Sequence, residues 1–206
     1  MIRARHTFLG KKVSELYSGY GLNAAFGQIR MFGDRQEDSG LPLLLLANHF
    51  SWWDGFIQYR LNQNFYRRKL HVIMLEEQLQ RFMILNQCGC FSIRKNSRDM
   101  INSLRYCTEI LSDPGNMLLF FPQGEIQSLY TDRFRFQNGI SYLFKHLQHD
   151  IEIIFNVNLV DYYSRKKPSL YIYRQSYRPE NGYTLEETEE AFNVFASSCK
   201  SKQKAL

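Results

Sequence analysis

The sequence predicts an α/β protein: a single domain with a mixed, largely parallel sheet flanked by helices. Three observations predict it. Two short runs, Leu43 to Leu46 and Met117 to Phe121, are continuously apolar, as strands buried on both faces of a parallel sheet are. Segments with apolar residues at helical spacing separate these runs from other strand-sized stretches. Strand and helix patterns then alternate along most of the chain, the order of a layered α/β domain. The 206 residues are enough for one sizeable core, and no repeat or low-complexity tract divides residues 1–206.

The elements follow in order. Residues 10 to 32 carry Val13, Leu16, Tyr17, Tyr20, Ala24, Ile29 and Met31 among Lys11, Lys12 and Arg30. That spacing fits helix, although Gly19, Gly21 and Gly27 weaken it. Asp34 to Gly40 is polar and reads as a loop. After the first apolar strand, Asn48 ends the run and a helix begins within Ser51 to Asp54, running toward Leu61. Leu70 to Leu75 is the next strand. Glu76 to Asn86 is a helix with Leu79, Phe82 and Met83 on one face. Gly89 to Ile93 is a short strand. Ser97 is a fair N-cap for a helix from Arg98 to Leu111, with Ile101, Leu104, Thr108 and Leu111 as its stripe. Asp113-Pro114-Gly115 stops it. Phe136 to Leu147 is helical. Glu152 to Val160 and Leu170 to Tyr173 are strands joined by the basic turn Ser164 to Pro168. Thr184 to Cys199 is a terminal helix whose acidic start suits the helix dipole.

Composition narrows the function classes. A net charge of +6 and a pI near 9.1 are compatible with nucleic acid, anionic lipid or phosphorylated ligands. No recognition-helix or RNP-like pattern is present and the aromatics sit in apolar runs, which excludes nucleic acid as the expected partner. No stretch approaches the roughly 18 apolar residues of a spanning helix. The basic start Met1 to His6 lacks the apolar region of a signal peptide. Cys88-Gly89-Cys90 is too tight for a zinc or redox pair, so the four cysteines read as reduced, buried thiols and no metal is expected.

Three segments can carry chemistry. Asn48-His49-Phe50-Ser51-Trp52-Trp53-Asp54 sets a His and an Asp five positions apart, just past the end of a buried strand, where open α/β sheets place their sites. A helix starting between them lets Asp54 reach one imidazole nitrogen and leaves the other to take a proton. The plainer alternative is a capping turn with a packed His49 ring. Trp52 and Trp53 read as core or rim aromatics. Phe121-Pro122-Gln123-Gly124-Glu125 is a Gly-containing turn after an apolar strand, either a simple turn or an amide-lined loop for an anion or oxyanion. Arg94, Lys95 and Arg98 near a third strand end suit a phosphate, or form a solvated cluster.

Taken together, these blocks resemble the glycerolipid acyltransferase family (1-acyl-glycerol-3-phosphate acyltransferase-like). Asn48, His49 and Asp54 match its Asn-His-x-x-x-x-Asp block. Gly89, Phe91 and Ile93 match a second block, in which Arg94 stands where an acidic residue is common and Lys95 where Arg is expected. Phe121, Pro122 and Gly124 match a Phe-Pro-Glu-Gly-Thr-like block, with Gln123 in place of Glu and Glu125 in place of Thr or Ser. Phe136-Gln137-Asn138-Gly139 resembles the segment that opens the next helix. Phe155 to Asn158 lies where a Pro-containing strand belongs, without the Pro. The similarity covers about residues 40 to 160.

The resemblance implies one-step transfer of a fatty acyl group from acyl-CoA or acyl-acyl carrier protein to a lipid hydroxyl, with no cofactor beyond the donor. His49 and Asp54 would be the catalytic pair. Asn48, Phe121, Pro122, Gln123, Gly124 and Glu125, with Arg94, Lys95 and Arg98, would bind substrates. Gln123, Glu125 and Lys95 alter the charge offered to an acceptor. A glycerol-phosphate phospholipid precursor is placed first, and a phosphate-free acceptor (glycolipid, aminolipid or hydroxylated pigment) stays open, as does a non-catalytic lipid-binding module. Attachment is expected to be peripheral, at the cytoplasmic face of a membrane, through residues 1–32 and the pair Lys11 and Lys12.

Overall fold

Leu43, Leu44, Leu45 and Leu46 have no exposed surface, and Met117, Leu118 and Leu119 beside them have none either. They belong to the two central strands of a computed structural model that describes residues 1–33, 39–95, 98–179 and 182–203. The strands are β1 Gln28–Phe32, β2 Leu43–Ala47, β3 Lys69–Leu75, β4 Cys90–Ile93, β5 Asn116–Phe120, β6 Glu152–Asp161 and β7 Ser169–Tyr177. They form one sheet in the order β1-β7-β6-β2-β5-β3-β4. The pairs β6–β2, β2–β5, β5–β3 and β3–β4 are parallel, β7 runs antiparallel to β6, and β1 is parallel to β7. The sheet is therefore mixed and largely parallel.

Helices cover both faces: α1 Phe8–Leu16, α2 Leu22–Ala25, α3 Asp54–Leu61, α4 Glu76–Arg81, α5 Asp99–Ile110, α6 Gly139–His146 and α7 Leu185–Gln203. Even-numbered Leu44, Leu46, Leu118 and Phe120 face one core with Leu104, Ile140, Leu143 and Phe192 of α5, α6 and α7. Odd-numbered Leu43, Leu45, Met117 and Leu119 face the other with Leu22, Ile57 and Leu61 of α2 and α3. This is the period of two expected of strands buried on both faces. In α7, Phe192, Phe195, Ala196 and Cys199 form the buried stripe. Its first-turn Glu186 and Glu187 and last-turn Lys200 and Lys202 complement the helix dipole.

Several sequence expectations change. The helix over residues 10–32 is α1, a π-helical turn Tyr17–Gly21 and α2, and the chain then becomes strand β1. Ile29 and Met31 pair with Leu170 and Ile172 of β7, so this segment is partly sheet and not a wholly helical membrane-surface element. The helix from Glu76 stops at Arg81, leaving Phe82 and Met83 about half exposed rather than on a buried face. In α5 the buried stripe is Ser103, Leu104, Cys107 and Ile110, while Ile101 is 45% exposed. β7 extends to Tyr177 through the polar residues Arg174, Gln175 and Ser176. Ser97 and residues 34–38 lie outside the described residues, and Arg98 occupies the N-cap position of α5. All four cysteines are free, with Cys90, Cys107 and Cys199 buried, and burial pushes the Cys199 thiol up to about 12.

Candidate active site

β2 and β5 are neighbours, but the chain leaves them on opposite faces. α3 follows β2 and packs in one core, and α6 follows β5 and packs in the other. Such divergence opens a crevice at the carboxyl ends of the strands. His49 follows β2 at this crevice, and Phe121 to Glu125 follow β5.

Asp54 is the first residue of α3 and has no exposed surface. Its Oδ2 accepts from His49 Nδ1 at 2.6 Å, Phe50 N–H at 2.7 Å and Ser51 N–H at 2.9 Å. Its Oδ1 accepts from Ser51 Oγ at 3.1 Å. Four donors satisfy a buried carboxylate that makes no ion pair with Lys or Arg among the described residues, and the first helical turn favours its charge. The five-residue spacing has a local cause: the turn of residues 50–53 folds its amides and the imidazole back onto the head of α3. A carboxylate only accepts, so Nδ1 is the donor, and in the neutral imidazole this tautomer places the lone pair on Nε2. The imidazole stacks on Phe121, with ring centroids 4.2 Å apart and an interplanar angle of 15°.

The second loop holds the backbone of His49 from both sides. Gln123 Oε1 accepts the His49 N–H at 2.7 Å, and the Gln127 N–H donates to the His49 carbonyl at 2.9 Å. The two glutamines are joined, Gln123 Nε2 donating to Gln127 Oε1 at 2.8 Å, and Gln127 Nε2 reaches Glu125 at 3.2 Å. Gln123 is 1% exposed. Gly124 turns the loop at φ +70°, and a Cβ there would come within 3.0 Å of Gln137, so glycine fits on both counts. Lys95 Nζ donates to the Gly124 carbonyl at 2.6 Å, and Gln137 N–H to the Pro122 carbonyl at 2.8 Å. The block after β4 is thereby tied to the loop after β5.

His49, Asp54, Phe121, Gln123, Gly124 and Lys95 thus converge, with Pro122 and Glu125 in the same loop. Asn48 does not face the crevice. It is 1% exposed and clasps the backbone of Asn158 in β6, Nδ2 donating at 3.0 Å and Oδ1 accepting at 2.7 Å. Arg94 turns to Glu76, which its Nε reaches at 2.6 Å, and to Asp99 at 3.6 Å. Ser92 Oγ donates to the same Glu76 carboxylate, and this bond first, then Arg94, holds that carboxyl below its ordinary range. Arg98 is exposed at the head of α5 and makes no bond to the loop among the described residues. Sequence reasoning missed Gln127 and Ser51. Ser51 had a local signal, its Ser-x-x-Asp spacing to Asp54 at the start of α3, whereas the partner of Gln127 is fixed only when β2 and β5 become neighbours. Trp52 is 47% exposed and stands edge-on to Tyr17 at 5.6 Å, on the rim.

No group of three or more His, Cys, Asp or Glu side chains suited to a metal occurs among the described residues. The arrangement has the parts for moving a proton: a base, its orienting carboxylate, and a loop that fixes both.

No curated protein matches the chain at a significant level. Among solved structures, it is similar to the 1-acyl-sn-glycerophosphate (LPA) acyltransferase PlsC from Thermotoga maritima, with a TM-score of 0.63 and 12% identity over 95% of this chain and 80% of that one. At that identity the likeness establishes a shared fold. The family model described as Acyltransferase matches residues 28–157. That span contains the His49–Asp54 pair, the Phe121–Glu125 loop, strands β1 to β5 and the first part of β6, and the chain belongs to the acyltransferase family.

Proposed function

We propose that the protein transfers a fatty acyl group from acyl-CoA or acyl-acyl carrier protein to a hydroxyl of a lipid acceptor. The observation that carries this reading is the 2.6 Å contact between His49 Nδ1 and the buried Asp54 carboxylate. It leaves Nε2 as the base toward the crevice. Nε2 takes the proton of the acceptor hydroxyl. The oxygen bonds to the thioester carbonyl carbon, the C–S bond breaks, and the proton passes to the departing thiolate. The positive-φ turn at Gly124 holds the acceptor or the tetrahedral oxyanion.

A glycerol-phosphate phospholipid precursor is the first acceptor class, by family resemblance. A phosphate-free acceptor is a second reading, favoured by the cations themselves. Arg94 is engaged by Glu76 and Asp99, Lys95 is bonded to the Gly124 carbonyl, and Glu125 adds a carboxylate to the loop. The carboxylates beside Arg94 and in the loop offset the positive charge offered to a phosphate, although Arg94 and Lys95 keep further N–H donors.

The enzyme is proposed to work peripherally at the cytoplasmic face of a membrane. Among the described residues no helix is long and apolar enough to cross one. Support comes from α1 and its neighbours, where Phe8, Leu9, Leu16 and Tyr20 are between 54% and 77% exposed, an apolar face suited to lie in a lipid interface.

Thioester consumption tests the chemistry. Purified protein is given palmitoyl-CoA or palmitoyl-acyl carrier protein and a panel of phosphate-bearing and phosphate-free acceptors in detergent, with His49→Ala beside it. Acceptor-dependent thiol release should fall by about 10³-fold in the variant. Equal rates in both proteins with the active acceptor would remove His49 from the chemistry. Lipid binding with no turnover on any acceptor would favour a binding module.

A further inference from the structure

A second concave site lies away from His49. Its cavity of about 600 Å³ is lined on one side by Phe8 and Lys11 of α1 and on the other by the turn Arg67 to Lys69. Lys69 opens β3 and is registered with Asn116, the first residue of β5, whereas His49 follows the last residue of the parallel strand β2. The cleft is therefore at the amino end of the sheet, opposite the crevice.

The geometry points to a binding site for the phosphate head group of an anionic phospholipid, formed by Lys11, Arg67 and Lys69 and flanked by Phe8. Charge is the first reason. Arg67 and Lys69 are exposed, and neither pairs with a carboxylate among the described residues. Glu15 is the only acidic residue of the lining, and it is shared by Lys12 at 3.0 Å and Lys11 at 3.9 Å. Cations on either side of one cleft suit an anion.

The second reason is that both walls are fixed. Arg67 adopts φ +55°, a left-handed conformation that costs a residue with a side chain. Asn62, 5% exposed, holds it there. Arg67 N–H donates to the Asn62 carbonyl at 2.7 Å, Asn62 Nδ2 donates to the Arg68 carbonyl at 2.7 Å, and Arg68 N–H returns a bond to Asn62 Oδ1 at 3.0 Å. On the other side, α1 sits so close to Gln87 that a Cβ on Gly10 would fall 1.9 Å from the Gln87 carbonyl. The cleft needs little reordering to receive a ligand.

The third reason selects the ligand. Phe8 is 77% exposed on the cleft wall and Leu9 54% exposed beside it. Cations next to a protruding apolar surface match an amphiphile, with its phosphate in the cleft and its chains along α1, rather than a soluble phosphate ester. This inference rests on the reading that the protein works at a bilayer.

The test is sedimentation with phosphatidylcholine vesicles, with and without phosphatidylglycerol, for the wild type, Arg67→Glu/Lys69→Glu and Arg105→Glu/Lys145→Glu. The last pair carries the same charge change on α5 and α6, which cover the opposite face of the sheet. Thermal melting shows that each variant folds. Arg67→Glu/Lys69→Glu should bind the phosphatidylglycerol vesicles about tenfold more weakly or worse. It should keep its binding to phosphatidylcholine and its acyl transfer in detergent. The control pair should bind like the wild type. Equal loss in both double variants would show that net charge alone is sensed and would overturn the site. So would unchanged binding in Arg67→Glu/Lys69→Glu. Inorganic phosphate bound by the wild type and lost in Arg67→Glu/Lys69→Glu, while both proteins bind the phosphatidylglycerol vesicles equally, would make free phosphate the ligand and reject the lipid. Wild type that ignores every vesicle rejects the membrane reading itself, an outcome distinct from these.

Discussion

Two histidines, at opposite ends of the same sheet, are placed in contrasting surroundings. His49 lies at the carboxyl end with its side chain 23% exposed and its Nδ1 bonded to a carboxylate. His71 lies near the start of β3 and is 5% exposed. Its Nε2 donates to Asn116 Oδ1 at 3.3 Å, and its Nδ1 is buried with no partner among the described residues. Its ring faces His6, with centroids 4.7 Å apart. Burial first, then the neighbouring His6, pushes its pKa down to about 4. A carboxylate partner and solvent access are the surroundings a general base needs. Without them the same ring is a neutral packing group that resists its proton.

The largest expected effect comes from taking the carboxylate away. Asp54→Asn turns an acceptor into an amide that can donate to Nδ1, which drives the imidazole to the tautomer with its proton on Nε2. Turnover should fall by about 10³-fold. A melting curve accompanies the assay, because three amide and hydroxyl donors lose a charged acceptor as well. Activity within a few fold of wild type would mean that Asp54 is a capping residue only.

A smaller effect is expected from Gln123→Ala, which leaves the pair intact and releases the His49 N–H. As a positioning residue, Gln123 should lower kcat by about 10- to 100-fold with little change in KM for the acceptor. A rise in KM alone would instead make it a substrate ligand. The smallest effect belongs to His71 and concerns stability. Its folded pKa lies below the unfolded value of about 6.5, so its contribution is fully present above pH 6.5. That contribution is lost as the pH falls from about 6.5 toward about 4. The loss should be on the order of 2 kcal/mol. In His71→Gln, chemical denaturation between pH 7 and 4.5 should show a flatter dependence. An unchanged slope would assign the acid sensitivity to other groups.

This contrast also marks what the sequence could tell. His49 was recognisable because its partner is five residues away and the strand before it is wholly apolar. His71 sits inside an ordinary strand pattern, and its neighbours His6 and Asn116 come from distant segments. The strands followed the same rule. β2 and β5 announced themselves by continuous leucine-rich runs. β1 did not, since Gln28 to Phe32 is short, half-buried and preceded by helix-like spacing, and its partner is β7. Asn48 matched a family pattern at the site, yet its amide serves the backbone of β6. Which loop would clamp His49 depended on β2 and β5 lying side by side, a fact of topology that no local pattern contains.

The pairing of β1 with β7 also bears on how the chain is made. Gln28 is registered with Ser169 and Phe32 with Tyr173, so an early strand waits for a partner synthesised after all the central strands. While the nascent chain lengthens through the central strands, the edge of the sheet that β1 will occupy does not yet exist. Closing so long a loop carries an entropic cost, and it is met only after both loops of the candidate site have been synthesised. Assembly of this edge of the sheet is thereby deferred until β7 has been made, and β1 stays an unpaired strand open to chaperones until then.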